Sequence, residues 1–86
     1  MMFDEGPLKA KAALDSVNSL MADRVDDWLD MLEEDHTQAD VRRQRLHQPK
    51  LWMITVRAPD GDDWVILWEL VGETAWVRYI GPHFVS

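Results

Sequence analysis

The chain has 86 residues and no cysteine, and its sixteen Asp and Glu against nine Lys and Arg leave a net charge of −7. That length suits one domain spanning 1–86 rather than two, and it leaves a narrow stability margin, since so short a chain buries only roughly 60% of its unfolded surface. Disulfides, thiol nucleophiles and Cys-ligated metals are excluded, and no apolar run nears the ~20 residues of a membrane span.

The opening, Met1-Met2-Phe3-Asp4-Glu5, lacks the basic-then-apolar layout of a signal peptide, so a cytoplasmic protein is expected. Pro7 suits the first turn of a helix, where its missing N–H costs nothing. Ala10, Ala13, Leu14, Val17 and Met21 follow with a 3.6-residue period. A clearer stripe is Val25, Trp28, Leu29 and Leu32, opposed by Asp23, Asp26, Asp27, Asp30 and Glu34. Asn18 and Ser19 mark a bend between the two stripes. The pattern predicts helices near 7–17 and 20–34, folded as a hairpin.

Residues 35–50 are polar and include Arg42, Arg43, Arg45, His47 and Lys50; a short helical turn fits there, and Pro49 ends it. The period then drops to two. Trp52, Ile54 and Val56 share one face of a strand, and Met53, Thr55 and Arg57 the other. Pro59-Asp60-Gly61 reads as a turn. Trp64 to Val71 is apolar on both faces except at Glu69, the mark of a central strand. Gly72-Glu73-Thr74 closes a second hairpin, Ala75 to Ile80 forms a third strand, and Gly81-Pro82 ends it. The whole predicts an α+β fold, an N-terminal helical hairpin packed on a C-terminal antiparallel sheet, with Trp52, Trp64 and Trp68 in the core.

Charge is unevenly placed along this order. Residues 1–40 carry eleven acids against Lys9, Lys11 and Arg24; residues 41–86 carry five against six bases. The acidic half suits a solvated helix face and disfavours phosphate. The basic stretch admits two readings, a phosphate-backbone patch or a solubilising linker. Tyr79 and His83 admit two as well: an acid–base pair, or a buried Tyr near a surface His, which spacing alone favours. His36, His47 and His83 lack ligand spacing, and neither a phosphate loop nor a hydrolase elbow occurs, so no metal or other cofactor is expected.

Several segments together resemble the RelE/ParE toxin superfamily of bacterial type II toxin–antitoxin systems. They are the Ala-x-x-Ala-Leu pattern at Ala10–Leu14, Arg42-Arg43-Gln44-Arg45-Leu46, Leu51-Trp52-Met53-Ile54-Thr55-Val56-Arg57, Asp63-Trp64-Val65-Ile66-Leu67-Trp68 and Val77-Arg78-Tyr79-Ile80-Gly81-Pro82-His83. The likeness covers most of the chain. It implies a microbial-ribonuclease-like fold and a toxin held by a cognate antitoxin protein. Such a toxin acts on the ribosome and mRNA as a metal-independent endoribonuclease (an mRNA interferase) that inhibits translation, or else on DNA gyrase.

Carried onto this chain, the RNA-cutting branch implies Arg57 as a phosphate-charge stabiliser, His83 as acid or base, and Tyr79 as a further candidate. Arg42, Arg43, Arg45, Lys50 and Arg78 would contact RNA. Strict alternation along the last strand threatens to turn Tyr79 into the core. The opening strand of the family would reduce here to Met1–Asp4. Met53 and Thr55 stand where RNA-cutting members often carry lysines, and Val65 where they carry an arginine. That keeps the gyrase-directed branch, or a non-catalytic interaction protein, as alternatives.

Overall fold

The computed structural model describes residues 1–42, 44–45, 51–58 and 63–82, which form two helices packed against one face of a five-stranded mixed sheet. In chain order come β1 (Met2–Phe3), α1 (Glu5–Val17), α2 (Ser19–Glu34), a 3₁₀ turn (Ala39–Arg42), β2 (Gln44–Arg45), β3 (Trp52–Val56), β4 (Trp64–Val71) and β5 (Thr74–Pro82). The sheet order is β1-β5-β4-β3-β2, which puts the two-sided apolar strand β4 in the middle. No helix among the described residues is long and apolar enough to cross a membrane.

The helical hairpin turns on one residue. Asn18 donates its backbone N–H to the Leu14 carbonyl, ending α1, and its side chain accepts from the Met21 N–H, starting α2. From α2, Val25, Leu29 and Leu32 are buried and Trp28 is half-buried, so the stripe faces the sheet as its spacing predicts. The stripe on α1 is thinner than expected. Leu14 is buried, but Val17 is 80% exposed, because the chain reverses at Asn18 before anything packs over it.

Strands β3, β4 and β5 form the expected antiparallel meander. The opening strand expected within Met1–Asp4 is present as β1, joined to the edge in parallel with Met2 opposite Trp76 and Phe3 opposite Val77. Two features depart from the expected sheet. β2 adds a short antiparallel edge, Gln44 opposite Met53 and Arg45 opposite Trp52. β5 also runs past its expected end, keeping Gly81 and Pro82 in the ladder opposite Val65 and Trp64. Gly72, at φ +63°, holds the first central position of the β4–β5 turn, and no other described residue has a positive φ. That is the demand of a type II′ hairpin, which glycine meets without Cβ strain.

Trp68 is the keystone of the core. It is fully buried, and its indole Nε1 donates to the Val41 carbonyl at 3.0 Å, fastening the 3₁₀ turn to the central strand. Trp52, directly opposite on β3, stacks on it at 6.2 Å between ring centroids and 28° between planes. Trp52 and Trp64 are themselves half-buried and lie at the core margin rather than its centre.

Trp68→Ala is expected to cost about 3–5 kcal/mol, combining a cavity with an orphaned carbonyl; a urea titration followed by circular dichroism reads the loss. Gly72→Ala should cost about 1 kcal/mol through backbone strain alone, and Glu73→Ala in the same titration should cost far less.

Candidate functional site

One irregularity decides what the second face of the sheet displays. Opposite Leu67 and Trp68 of β4, strand β5 carries one residue more than the ladder needs: Leu67 pairs with Tyr79, Trp68 with Val77, and Arg78 bulges between. Val77 and Ile80 can therefore both enter the core under the helices, three residues apart. Arg78 and Tyr79 both turn to the face away from the helices. Strict alternation from Val77 would have buried Tyr79; the bulge reverses it, as bulges commonly do where a side chain must be re-aimed.

Tyr79 lies along its own strand. Its ring covers Gly81, two residues on, and its hydroxyl donates to the Pro82 carbonyl at 3.2 Å. The hydroxyl thus points toward the row Gly81–Val65–Thr55, at the end of the sheet where β3 leads into Arg57. Arg57 is 79% exposed and donates to Asp63 Oδ2 at 3.0 Å, while Asp63 Oδ1 accepts the Ala58 N–H at 3.0 Å. Asp63 therefore tethers the arginine head and the backbone beside it. A recess of about 310 Å³ opens next to Arg57, lined by Arg24, Asp27, Trp28, Thr55 and Val56 as well.

At the other end of β3 the basic stretch meets the tryptophans. Arg45 sits 4.3 Å from the Trp52 ring centroid, and Arg42 lies 5.4 Å from Trp52 and 5.7 Å from Trp68. Arg42 is held by the His36 carbonyl at 2.6 Å and the His36 ring Nδ1 at 3.2 Å. Neither guanidinium forms an ion pair with a carboxylate among the described residues. Two like charges thus share one indole beside a recess of about 390 Å³ that also touches Glu69 and Leu70. Such cation–π contacts hold the charges near solvent without neutralising them.

Arg78 is in a different state. Its guanidinium donates to Glu69 Oε1 at 2.6 and 3.0 Å and to Asp4 Oδ1 at 2.9 Å, and it stacks 4.7 Å from the Trp76 ring. The hydrogen bonds that Arg78 donates to Glu69, with the one it donates to Asp4, raise its pKa further. Trp76 Nε1 donates to the same Asp4 oxygen at 2.7 Å, and that bond, with Arg78, holds the Asp4 carboxyl below its ordinary value. Asp4 is also the N-cap residue of α1, yet its side chain makes no capping bond. The carboxylate is committed to the sheet instead.

Among the sequence-predicted site residues, Tyr79 and Arg57 thus meet the same end of the second face, and Arg42 with Arg45 form a separate pair on Trp52. Arg78 is locked between two acids. His83, Arg43 and Lys50 lie outside the described residues. Sequence reasoning does not find Asp4, Glu69 and Trp76 as a unit, because Asp4 and Arg78 are 74 positions apart and no local pattern links them. It also places Trp52 wholly in the core, whereas Arg45 packs on it from a two-residue strand too short to show a period. Among the described residues no group of three or more His, Asp or Glu could hold a metal ion. Compared with protein-family models, curated proteins and solved structures, the chain matches none at a significant level.

The lowered Asp4 pKa fixes a pH dependence. A carboxylate depressed in the folded state contributes stability above its unfolded pKa of about 3.9, and loses it as pH falls through the folded value. Asp4→Asn should therefore lower the urea midpoint at pH 7, and the gap to wild type should shrink below about pH 4. A gap that stays constant from about pH 7 to about pH 3 would count against the network.

Proposed function

We propose that the protein is the toxin of a type II toxin–antitoxin system and cuts mRNA on the ribosome, in the cytoplasm. The observation that carries this reading is the second face of the sheet, free of helices. There a bulge and a glycine present the Tyr79 hydroxyl toward Arg57; at the other end of β3, on the helix-facing side, Arg42 and Arg45 pack on Trp52 and hold charge that no described carboxylate forms an ion pair with. The order strand, helix, helix and three-stranded meander agrees with the segments that resemble the RelE/ParE superfamily.

RNA cleavage of this type needs little from a protein beyond positioned charge and proton transfer. The 2′-oxygen attacks phosphorus and the P–O5′ bond breaks, leaving a 2′,3′-cyclic phosphate and a 5′-hydroxyl. One proton leaves the 2′-hydroxyl and one is delivered to O5′. In this reading Arg57 stabilises the charge that builds on the phosphate oxygens, and His83 and Tyr79 are the proton-handling candidates. Five residue steps, about 17 Å of strand, separate Trp52 from Arg57, so Arg42 and Arg45 hold a phosphate farther along the RNA chain than the one at Arg57. Arg78 is left out of the RNA contacts, because Asp4 and Glu69 already neutralise it.

A gyrase-directed, ParE-like toxin is the second reading. It is favoured by Met53, Thr55, Val65 and Leu67, uncharged side chains on the rows where an RNA-cutting surface gains from cations. In either case the cognate antitoxin would cover this face.

Induction in bacteria should arrest growth with cleaved messages mapped at ribosome-bound sites. Arg57→Ala and Tyr79→Phe should each slow cleavage by about 10², and Arg42→Ala/Arg45→Ala should weaken RNA association with a shallower salt dependence. Intact message alongside inhibited supercoiling by purified gyrase would transfer the function to the second reading.

A further inference from the structure

Gly81 is the residue whose lack of a side chain has the most local consequence. An ideal Cβ built on it would lie 2.5 Å from Tyr79 Oη, 2.7 Å from Cζ and 3.2 Å from Cε2. Separations under 3 Å are not tolerated, so any side chain here must evict the phenol. The contact also cannot be relieved at the backbone. Gly81 is paired in the ladder opposite Val65, Pro82 follows it opposite Trp64, and Ile80 before it is anchored in the core. Only the tyrosine ring can move.

We infer that Gly81 is a positioning residue for Tyr79, acting with the bulge at Arg78 to aim the phenol hydroxyl. The bulge selects the face of the sheet; the bare backbone at Gly81 selects the direction along the strand. With the ring laid over Gly81, the hydroxyl reaches the Pro82 carbonyl, one row short of the Arg57 end. A β-carbon at residue 81 turns the ring off the strand, breaks that hydrogen bond and uncovers the neighbouring Val65, which is fully buried. The two outer strands of the meander are about 10 Å apart, and the laid-down orientation carries the hydroxyl toward the end of the sheet where a phosphodiester bound at Arg57 would lie. The use assigned to the hydroxyl rests on the RNA-cutting reading; the orientation does not.

Tyr79 is the only tyrosine in the chain, which makes the test direct. Protein labelled with 3-fluorotyrosine gives one ¹⁹F resonance. Gly81→Ala is expected to move that resonance while the far-ultraviolet circular dichroism keeps its folded shape. Ribosome-dependent cleavage should fall by about tenfold or more in kcat with KM within about twofold, as for loss of a group that acts in the transition state. In a Tyr79→Phe background, Gly81→Ala should cause no further loss of kcat, because a positioning residue has nothing left to position. Should Gly81→Ala not fold, Tyr79→Ala/Gly81→Ala is expected to restore folding, since removing the ring removes the clash; failure of that rescue would overturn the inference. An unmoved resonance, or a further drop in kcat when Gly81→Ala is added to Tyr79→Phe, would overturn it too. If the wild-type protein cuts no RNA, the RNA-cutting reading falls, and the resonance and rescue still decide the orientation.

Discussion

The extra residue in β5 is the constraint on which both faces of this sheet depend. A strand with strict alternation gives each face every second side chain, and β5 has to supply Ala75, Val77 and Ile80 to the core beneath the helices. Those three positions do not share one parity. Inserting Arg78 between the Trp68 and Leu67 pairings reconciles them, and it delivers two consecutive polar side chains to the other face. The core packing and the candidate site are thus products of one backbone event. Strict alternation of the same residues would bury either the Tyr79 hydroxyl where Ile80 now sits or Arg78 where Val77 now sits, at the cost of desolvating it.

A second economy joins the chain's start to its end. Asp4 continues the parallel pairing of β1 through its N–H to the Val77 carbonyl, precedes α1, and sends its carboxylate to Trp76 and Arg78. A capping bond within α1 would be worth about 1 kcal/mol. The competing arrangement satisfies an indole N–H and a guanidinium together, beside Glu69. The bulged arginine therefore reads better as the fastening of β1 to the sheet than as a free cation, which is why its sequence position alone is a poor guide to its role.

How much of this was legible in the sequence follows from the length of each signal. Val25, Trp28, Leu29 and Leu32 span two helical turns, and Trp64 to Val71 is a nearly continuous apolar strand, so α2 and the central strand stand out from periodicity. β1 and β2 have two residues each and carry no period; they exist because partners elsewhere in the chain offer open edges. Strict alternation misplaces Tyr79 for a related reason. Nothing in Trp76-Val77-Arg78-Tyr79-Ile80 announces a bulge, since its cause lies in the register with β4. Sequence locates Arg57, Tyr79 and the arginine cluster; only the register shows which of them share a surface.

The same register explains how a chain of net charge −7 can offer an anion a place to bind. Most carboxylates of α2 line the side of that helix turned from the sheet, where Asp26 also pairs with Lys11 at 2.8 Å to tie the helices together. The molecule measures 34 × 26 × 22 Å, against a screening length of about 8 Å at physiological salt. Across such a distance those helical acids contribute little to the potential at Arg42 and Arg45. Nearer groups govern there: Glu69 lines the same recess and the Asp35 carboxylate is held low by Thr37 and in part by Arg42, yet no described carboxylate forms an ion pair with either guanidinium. At Arg57 the partner is Asp63 on the surface, and exposed pairs of this kind exchange readily for a better anion. Net charge therefore describes the solubility of the whole chain, whereas the second face answers to the few groups that the bulge and the strand pairings bring within a screening length of one another.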